Sequence, residues 1–160
     1  MIGRLLLVLH VVAAVGFVGN IATGLFWAIR ARHTRDTRVL RHTFLSLNAA
    51  DGWITAPTVI VITVTGIAAA VRMGLPLLGT GWILWSVVAF SLSGLAFAVR
   101  VLPLQRRLAG AFGDADQTTA SHEQSTLIAR WSHWAHLSLL FAIVALLLMI
   151  LKPDLPALGR

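Results

Sequence analysis

A chain of 160 residues with 58% hydrophobic and 12% charged residues and a mean hydropathy of +0.83 is no ordinary soluble domain, in which about 25% of residues are charged. A net charge of +7 would suit nucleic acid, but the arginines cluster beside apolar segments as a topology signal, so no nucleic-acid partner is expected. Cysteine is absent, which excludes disulfides, thiolate metal sites and cysteine nucleophiles.

Four apolar segments fill the chain, at about 5–29, 44–71, 82–103 and 127–151, each near the roughly 20 residues that cross a bilayer as a helix. They predict an all-α membrane protein: one domain over 1–160, folded as an antiparallel four-transmembrane-helix bundle with both termini outside. The first segment is longer than the roughly 7–15 apolar residues of a signal peptide, so it is read as a mature helix. Nine of the 13 basic residues fall in, or at the span ends beside, the connections between the first and second spans and between the third and fourth. That bias predicts that loops 30–43 and 104–126 are cytoplasmic.

Span one carries His10 near its start. At about 100° per residue, Ala14, Phe17, Ile21, Gly24 and Ala28 share its azimuth, with Ala13 and Asn20 flanking. Such a small-residue face lets a backbone or a flat cofactor come close. The loop that follows is short and basic and suits anionic head groups; its His33 and His42 read as interfacial.

Span two holds Asn48, Asp51, Thr55, Thr58 and Thr65 at spacings of 3, 4, 3 and 7, one polar stripe that should face the bundle interior. Asp51 is an ionisable group inside a span and therefore a functional candidate. Arg100, at a similar depth in span three, is its expected ion-pair partner, and Asn20, Asn48, Asp51 and Arg100 form the expected intramembrane polar network. Pro57 should bend the helix or remove one backbone hydrogen bond.

The turn from Met73 to Gly81 contains Gly74, Pro76 and Gly79, all breakers. Trp82 and Trp85 read as an aromatic pair at the outer interface. Span three ends near Pro103, and the segment from Gln105 to Gln124, with Asp114, Asp116 and Glu123, reads as an amphipathic extension and a loop. Span four opens with Arg130, Trp131, His133, Trp134 and His136. Its tryptophans suggest an inner aromatic belt. His133 and His136, three apart, are candidate cofactor ligands, although no glutamate accompanies them as in a zinc-hydrolase helix. Lys152 and Pro153 close the helix.

Taken in order, these residues resemble a bacterial membrane family, domain of unknown function 2269: Leu9 and His10; Ala50, Asp51, Pro57, Val64, Thr65 and Gly66; Trp82, Ile83, Leu84, Trp85 and Ser86; Pro103, Gln105 and Arg107; Arg130 and Trp131; Leu148, Met149, Lys152 and Pro153. The layout is more distantly similar to HemJ-type protoporphyrinogen oxidases and to the copper-resistance CopD membrane domain. The HemJ type has a Leu-His early in its first span and a Lys-Pro ending its last, and it binds haem b. The resemblance thus implies a bacterial cytoplasmic (inner) membrane protein with His10 as axial ligand of haem b or ligand of a metal. His136 lies nearer the opposite end of its span, so one iron would not readily bridge it to His10. The expected function is redox chemistry or haem and metal handling, with the lipid bilayer and a redox or membrane-complex partner as surroundings. Alternatives are a structural or accessory subunit and a small-solute or copper carrier. With methionine only at Met1, Met73 and Met149, a methionine-rich copper pathway is absent.

Overall fold

The computed structural model describes residues 1–112 and 122–158; Asp114 and Asp116 lie outside them. The described chain is helical and without strands. Helix α1 spans Ile2–Thr34 and ends at Arg35, whose left-handed backbone (φ 55°) closes the turn. Asp36 then caps α2 (Thr37–Ala50), its carboxylate accepting from the Arg38 amide at 2.8 Å, one of the orphan donors of a helix start. After a π-helical turn over Asp51–Thr55, α3 runs over Ala56–Arg72. Helix α4 (Gly81–Ala96) continues through a second π-helical turn (Phe97–Val101) into α5 (Leu102–Ala111), and α6 covers His122–Leu151. Counted through the π-turns, four helices of 33, 36, 31 and 30 residues are long and apolar enough to cross a membrane. Each overruns its apolar segment because its basic or polar ends stay helical.

Both π-turns have the same local cause. Pro57 and Pro103 stand at the start of α3 and α5. Proline lacks the N–H for the bond to the residue four before it, and its ring collides with that carbonyl. Widening the turn relieves the clash, and the ladder resumes with Ala56 N–H to the Asp51 carbonyl and Leu102 N–H to the Phe97 carbonyl, five residues apart.

Contacts between spans one and two run in opposite chain directions: His10 meets Ile62 and Thr65, Asn20 meets Thr55, and Gly24 meets Leu47. Spans three and four do likewise, with Lys152 over Trp82, Ser93 against Ser138, and Arg100 over Trp134. One end of the molecule therefore carries the start of α1, the end of α6 and the 73–80 turn; the other carries the arginine-rich 30–41 segment. We call them the terminal end and the basic end. Toward the basic end α2 packs on α5. Toward the terminal end α3 packs on α1 and α4 on α6, while α3 makes no close backbone approach to α4 or α6.

The core follows the small-residue face of α1: Ala13, Phe17, Ile21, Gly24 and Ala28 are buried with His10. Leu40, Phe44, Leu108, Ile128 and Trp131 complete it, while large apolar side chains such as Val12, Trp53, Ile60 and Ile150 point outward. In lipid such packing is held by close approach and interhelical hydrogen bonds, since lipid tails are as apolar as the side chains. Ser93 and Ser138, both fully buried, supply one pair by exchanging hydroxyl-to-carbonyl bonds of 2.8 and 3.0 Å.

The terminal end is strapped by the C-terminal tail. Trp85 Nε1 donates to the Pro156 carbonyl at 3.1 Å, the Leu158 amide to the Leu78 carbonyl at 3.0 Å, and Lys152 Nζ lies 5.4 Å from the Trp82 ring centroid. Trp82 and Trp85, expected only as an interface pair, thus dock the tail. Gly81 is required there, because a Cβ would fall 1.9 Å from the Leu155 carbonyl oxygen.

Candidate functional sites at the two ends of the bundle

Two clusters gather most of the singled-out residues. At the terminal end, His10 is 8% exposed and packs between α3 and α6. Its Nδ1 lies 2.9 Å from the Ile62 carbonyl and 3.2 Å from Thr65 Oγ1. A carbonyl can only accept, so Nδ1 carries the proton. Thr65 donates its own hydroxyl to the Val61 carbonyl, which leaves its oxygen free to share that proton. In the neutral ring so fixed, Nε2 is a bare lone pair, and it faces Met149 Sδ at 3.4 Å. Gly66 lets the α3 backbone pack close against the ring, since a Cβ there would lie 3.0 Å from His10 Cε1. The Thr65-Gly66 pair supplies both the hydrogen bond and the space.

His133 and His136 do not join this cluster. His136 precedes Met149 by thirteen residues, about 20 Å along α6 at 1.5 Å per residue. It is exposed, and its Nδ1 turns back to the Ser132 carbonyl at 2.7 Å. His133 is exposed and lies against the Trp134 ring. Both face away from the core, and neither shares a centre with His10.

Toward the basic end, Asp51 sits in the first π-turn among neutral donors. Oδ1 accepts from Thr55 Oγ1 at 2.9 Å and Asn20 Nδ2 at 3.2 Å; Oδ2 accepts from Gln105 Nε2 at 2.6 Å. Gln105, 2% exposed, also donates to Asn48 Oδ1 at 3.1 Å and accepts the Trp131 indole N–H at 3.1 Å. An indole N–H only donates, so the amide orientation of Gln105 is fixed with its NH2 toward Asp51. All four spans meet in this network. A cavity of about 20 Å³ lies beside it, bordered by Asn20, Asp51, Gln105 and Trp131 among others, enough for about one water molecule.

Arg100 is not the partner of Asp51. It is exposed and lies over the Trp134 ring, 5.4 Å from its centroid. The reason is the second π-turn. Ser86 and Ser93 are buried seven residues apart, and a further seven lands on Arg100. The π-turn adds a residue, so Val101 takes the buried position and Arg100 turns out. The expected end of span three near Pro103 left Gln105 outside the network, whereas the helix runs on to Ala111 and buries it, and Trp131, read as a belt residue, is 3% exposed with its N–H consumed by Gln105. Sequence reasoning missed Met149 as a neighbour of His10 because a single methionine among leucines leaves no periodic signal.

The family described as "Predicted integral membrane protein (DUF2269)" matches residues 4–153. The chain belongs to that family. No curated protein and no solved structure matches it. The residues that carry the family resemblance divide between the two clusters: His10, Thr65, Gly66 and Met149 at the terminal end, with Trp82, Trp85 and Lys152 in the strap above, and Asp51, Gln105 and Trp131 with both prolines toward the basic end.

Proposed function

We propose that this integral membrane protein holds one metal centre between His10 and Met149 and serves metal handling or electron transfer there. The observation that carries the reading is the tautomer-fixed imidazole whose bare Nε2 faces a thioether sulfur at 3.4 Å. Histidine ligands characteristically donate the other ring N–H to a backbone carbonyl, which sets the tautomer and raises basicity; Ile62 fills that role. The proposed ligands are one imidazole and one soft sulfur, a donor set that selects soft ions; among the described residues no group of three or more His, Cys, Asp or Glu side chains joins them.

Haem b is the group that the family resemblance implies, and His with Met is a known axial pair. If its bonds were as long as those of zinc to imidazole and thiolate, about 2.0 and 2.3 Å, an iron held from opposite sides by His10 and Met149 would set the nitrogen and sulfur about 4.3 Å apart. The observed 3.4 Å falls short of that. The same bond lengths meet the observed separation at an angle of about 100°, so the pair as it stands fits a single ion better than haem. A bound redox-active ion would supply one-electron chemistry; the chain supplies the two ligands and the proton-fixed imidazole.

The test is metal content and visible absorption of protein purified from cells replete in iron, copper and haem. Near-stoichiometric metal without a Soret band is expected, falling at least tenfold in His10→Ala and severalfold in Met149→Leu. A Soret band lost in both variants would assign haem instead, and a colourless, metal-free wild type would overturn the reading.

We further propose that the basic end is cytoplasmic and the membrane the bacterial inner membrane. Support comes from the arginine bias, nine basic residues in or directly beside the two loops against four elsewhere. The cysteine-free chain suits single-cysteine labelling. Arg38→Cys should react with an impermeant maleimide only after permeabilisation, and reaction in intact cells refutes the orientation.

A further inference from the structure

We infer that Asp51 and the cavity beside it form a binding site for one small monovalent cation, sodium or hydronium, toward the basic end and separate from the His10 centre. Every partner of the Asp51 carboxylate is a neutral donor: Gln105, Thr55 and Asn20. Three hydrogen bonds occupy three of its roughly four lone-pair positions, and donors of this kind stabilise the ionised form. They do not cancel its charge. An unpaired charge held within a membrane span costs several kcal/mol, and the surrounding elements offer no cation. Arg100 is turned to Trp134, and apart from His10 at the other end, every ionisable side chain described on α1, α2, α3, α5 and α6 is exposed.

Oxygen atoms, not cations, converge here. Asn20 gives its amide N–H groups to Asp51 and Thr55, and among the described residues no hydrogen bond to its side-chain oxygen occurs, which leaves that oxygen available as an acceptor. The cavity adjoins both Asn20 and Asp51. Asn48 does not border the cavity; its Oδ1 accepts from Gln105 and helps to hold that amide in place. The fixed Gln105 amide keeps its NH2 on the carboxylate, so the site cannot satisfy Asp51 by flipping. A single carboxylate with a neutral amide oxygen and one water position suits a monovalent ion; calcium or magnesium would call for six or more oxygens, typically several charged. The π-turn that sets Asp51 at this point is a deviation often found at functional sites.

The test is thermal unfolding of the purified protein in detergent, in choline, potassium or sodium chloride at equal ionic strength, at pH 8 and at pH 5.5. If sodium is the ligand, the unfolding temperature rises saturably with sodium over choline at pH 8, and the rise is absent in Asp51→Asn. If hydronium is the ligand, sodium has no effect, lowering the pH in choline stabilises the wild type, and Asp51→Asn loses that dependence. Should Asp51→Asn not fold, the wild type decides: a saturable sodium response, or release of a proton on adding sodium in weak buffer, supports the site. A wild type indifferent to sodium and to pH, or a response unchanged in Asp51→Asn, overturns it.

Discussion

Gln105→Leu is the substitution with the largest expected effect toward the basic end. Leucine keeps the volume but removes three hydrogen bonds: the 2.6 Å donation to Asp51, the donation to Asn48, and the acceptance of the Trp131 indole at 3.1 Å. A hydrogen bond to a charged group contributes about 1.5–3 kcal/mol, and a buried donor left unpaired costs about 1–3 kcal/mol. Interhelical bonds in membranes run lower, averaging roughly 0.6 kcal/mol with a maximum near 1.7, because the unfolded chain finds other partners. A net loss of about 3 kcal/mol follows, roughly a hundredfold in the unfolding equilibrium at about 1.4 kcal/mol per factor of ten. Unfolding in mixed SDS micelles, followed by tryptophan fluorescence, reads it directly. Trp131→Phe should cost less on its own. The Gln105→Leu/Trp131→Phe double variant should cost less than the two singles combined, since the indole N–H is already orphaned when Gln105 is gone. A Gln105→Leu protein within about 0.5 kcal/mol of wild type, or strict additivity in the pair, would refute a network locked by the indole.

Two glycines give further tests. Gly66→Ala places a methyl 3.0 Å from His10 Cε1, and overpacking of this kind costs about 1–3 kcal/mol; the ring should be pushed off its Met149 register, so metal content falls while the protein stays in the membrane. Retention of full metal content would count against the geometry of the His10 site. Gly81→Ala would put a carbon 1.9 Å from the Leu155 carbonyl oxygen, a backbone neighbour that must move. The strap over 152–158 should detach, with faster hydrogen exchange at the Leu158 amide that now bonds Leu78; unchanged exchange there would show that the tail does not depend on this approach.

The membrane character and the four helices were legible because lipid imposes them. An apolar run of membrane length has no alternative to a helix, and the face of α1 that buries Ala13, Phe17, Ile21 and Gly24 follows from regular α periodicity. His10, Asp51, Asn20 and Asn48 could be picked out because a polar group inside a span is expensive and needs a partner. Which partners they take was not legible. Met149 is chemically silent in a run of leucines, and nothing in its spacing announces an imidazole across the bundle. Trp131 looks the same whether it belongs to an interfacial belt or holds a buried amide.

The Arg100 error has a more general cause, and it joins the two halves of the polar network. Helical-wheel reasoning assumes 100° per residue throughout a span, and a single π-turn breaks that assumption for everything downstream. On span three the inward face passes from Ser93 to Val101 instead of Arg100, and it is this shift that brings Gln105, fully inside α5, opposite Asp51. On span two Asp51 itself opens the widened turn. Proline six residues after the start of each turn, Pro57 after Asp51 and Pro103 after Phe97, is thus the readable trace of the site: the two prolines displace the register so that an amide, and not a guanidinium, faces the carboxylate. An arginine there would have neutralised Asp51 permanently. The amide orients the carboxylate while leaving its charge available, and that difference separates a structural ion pair from a site that can take up and release a cation.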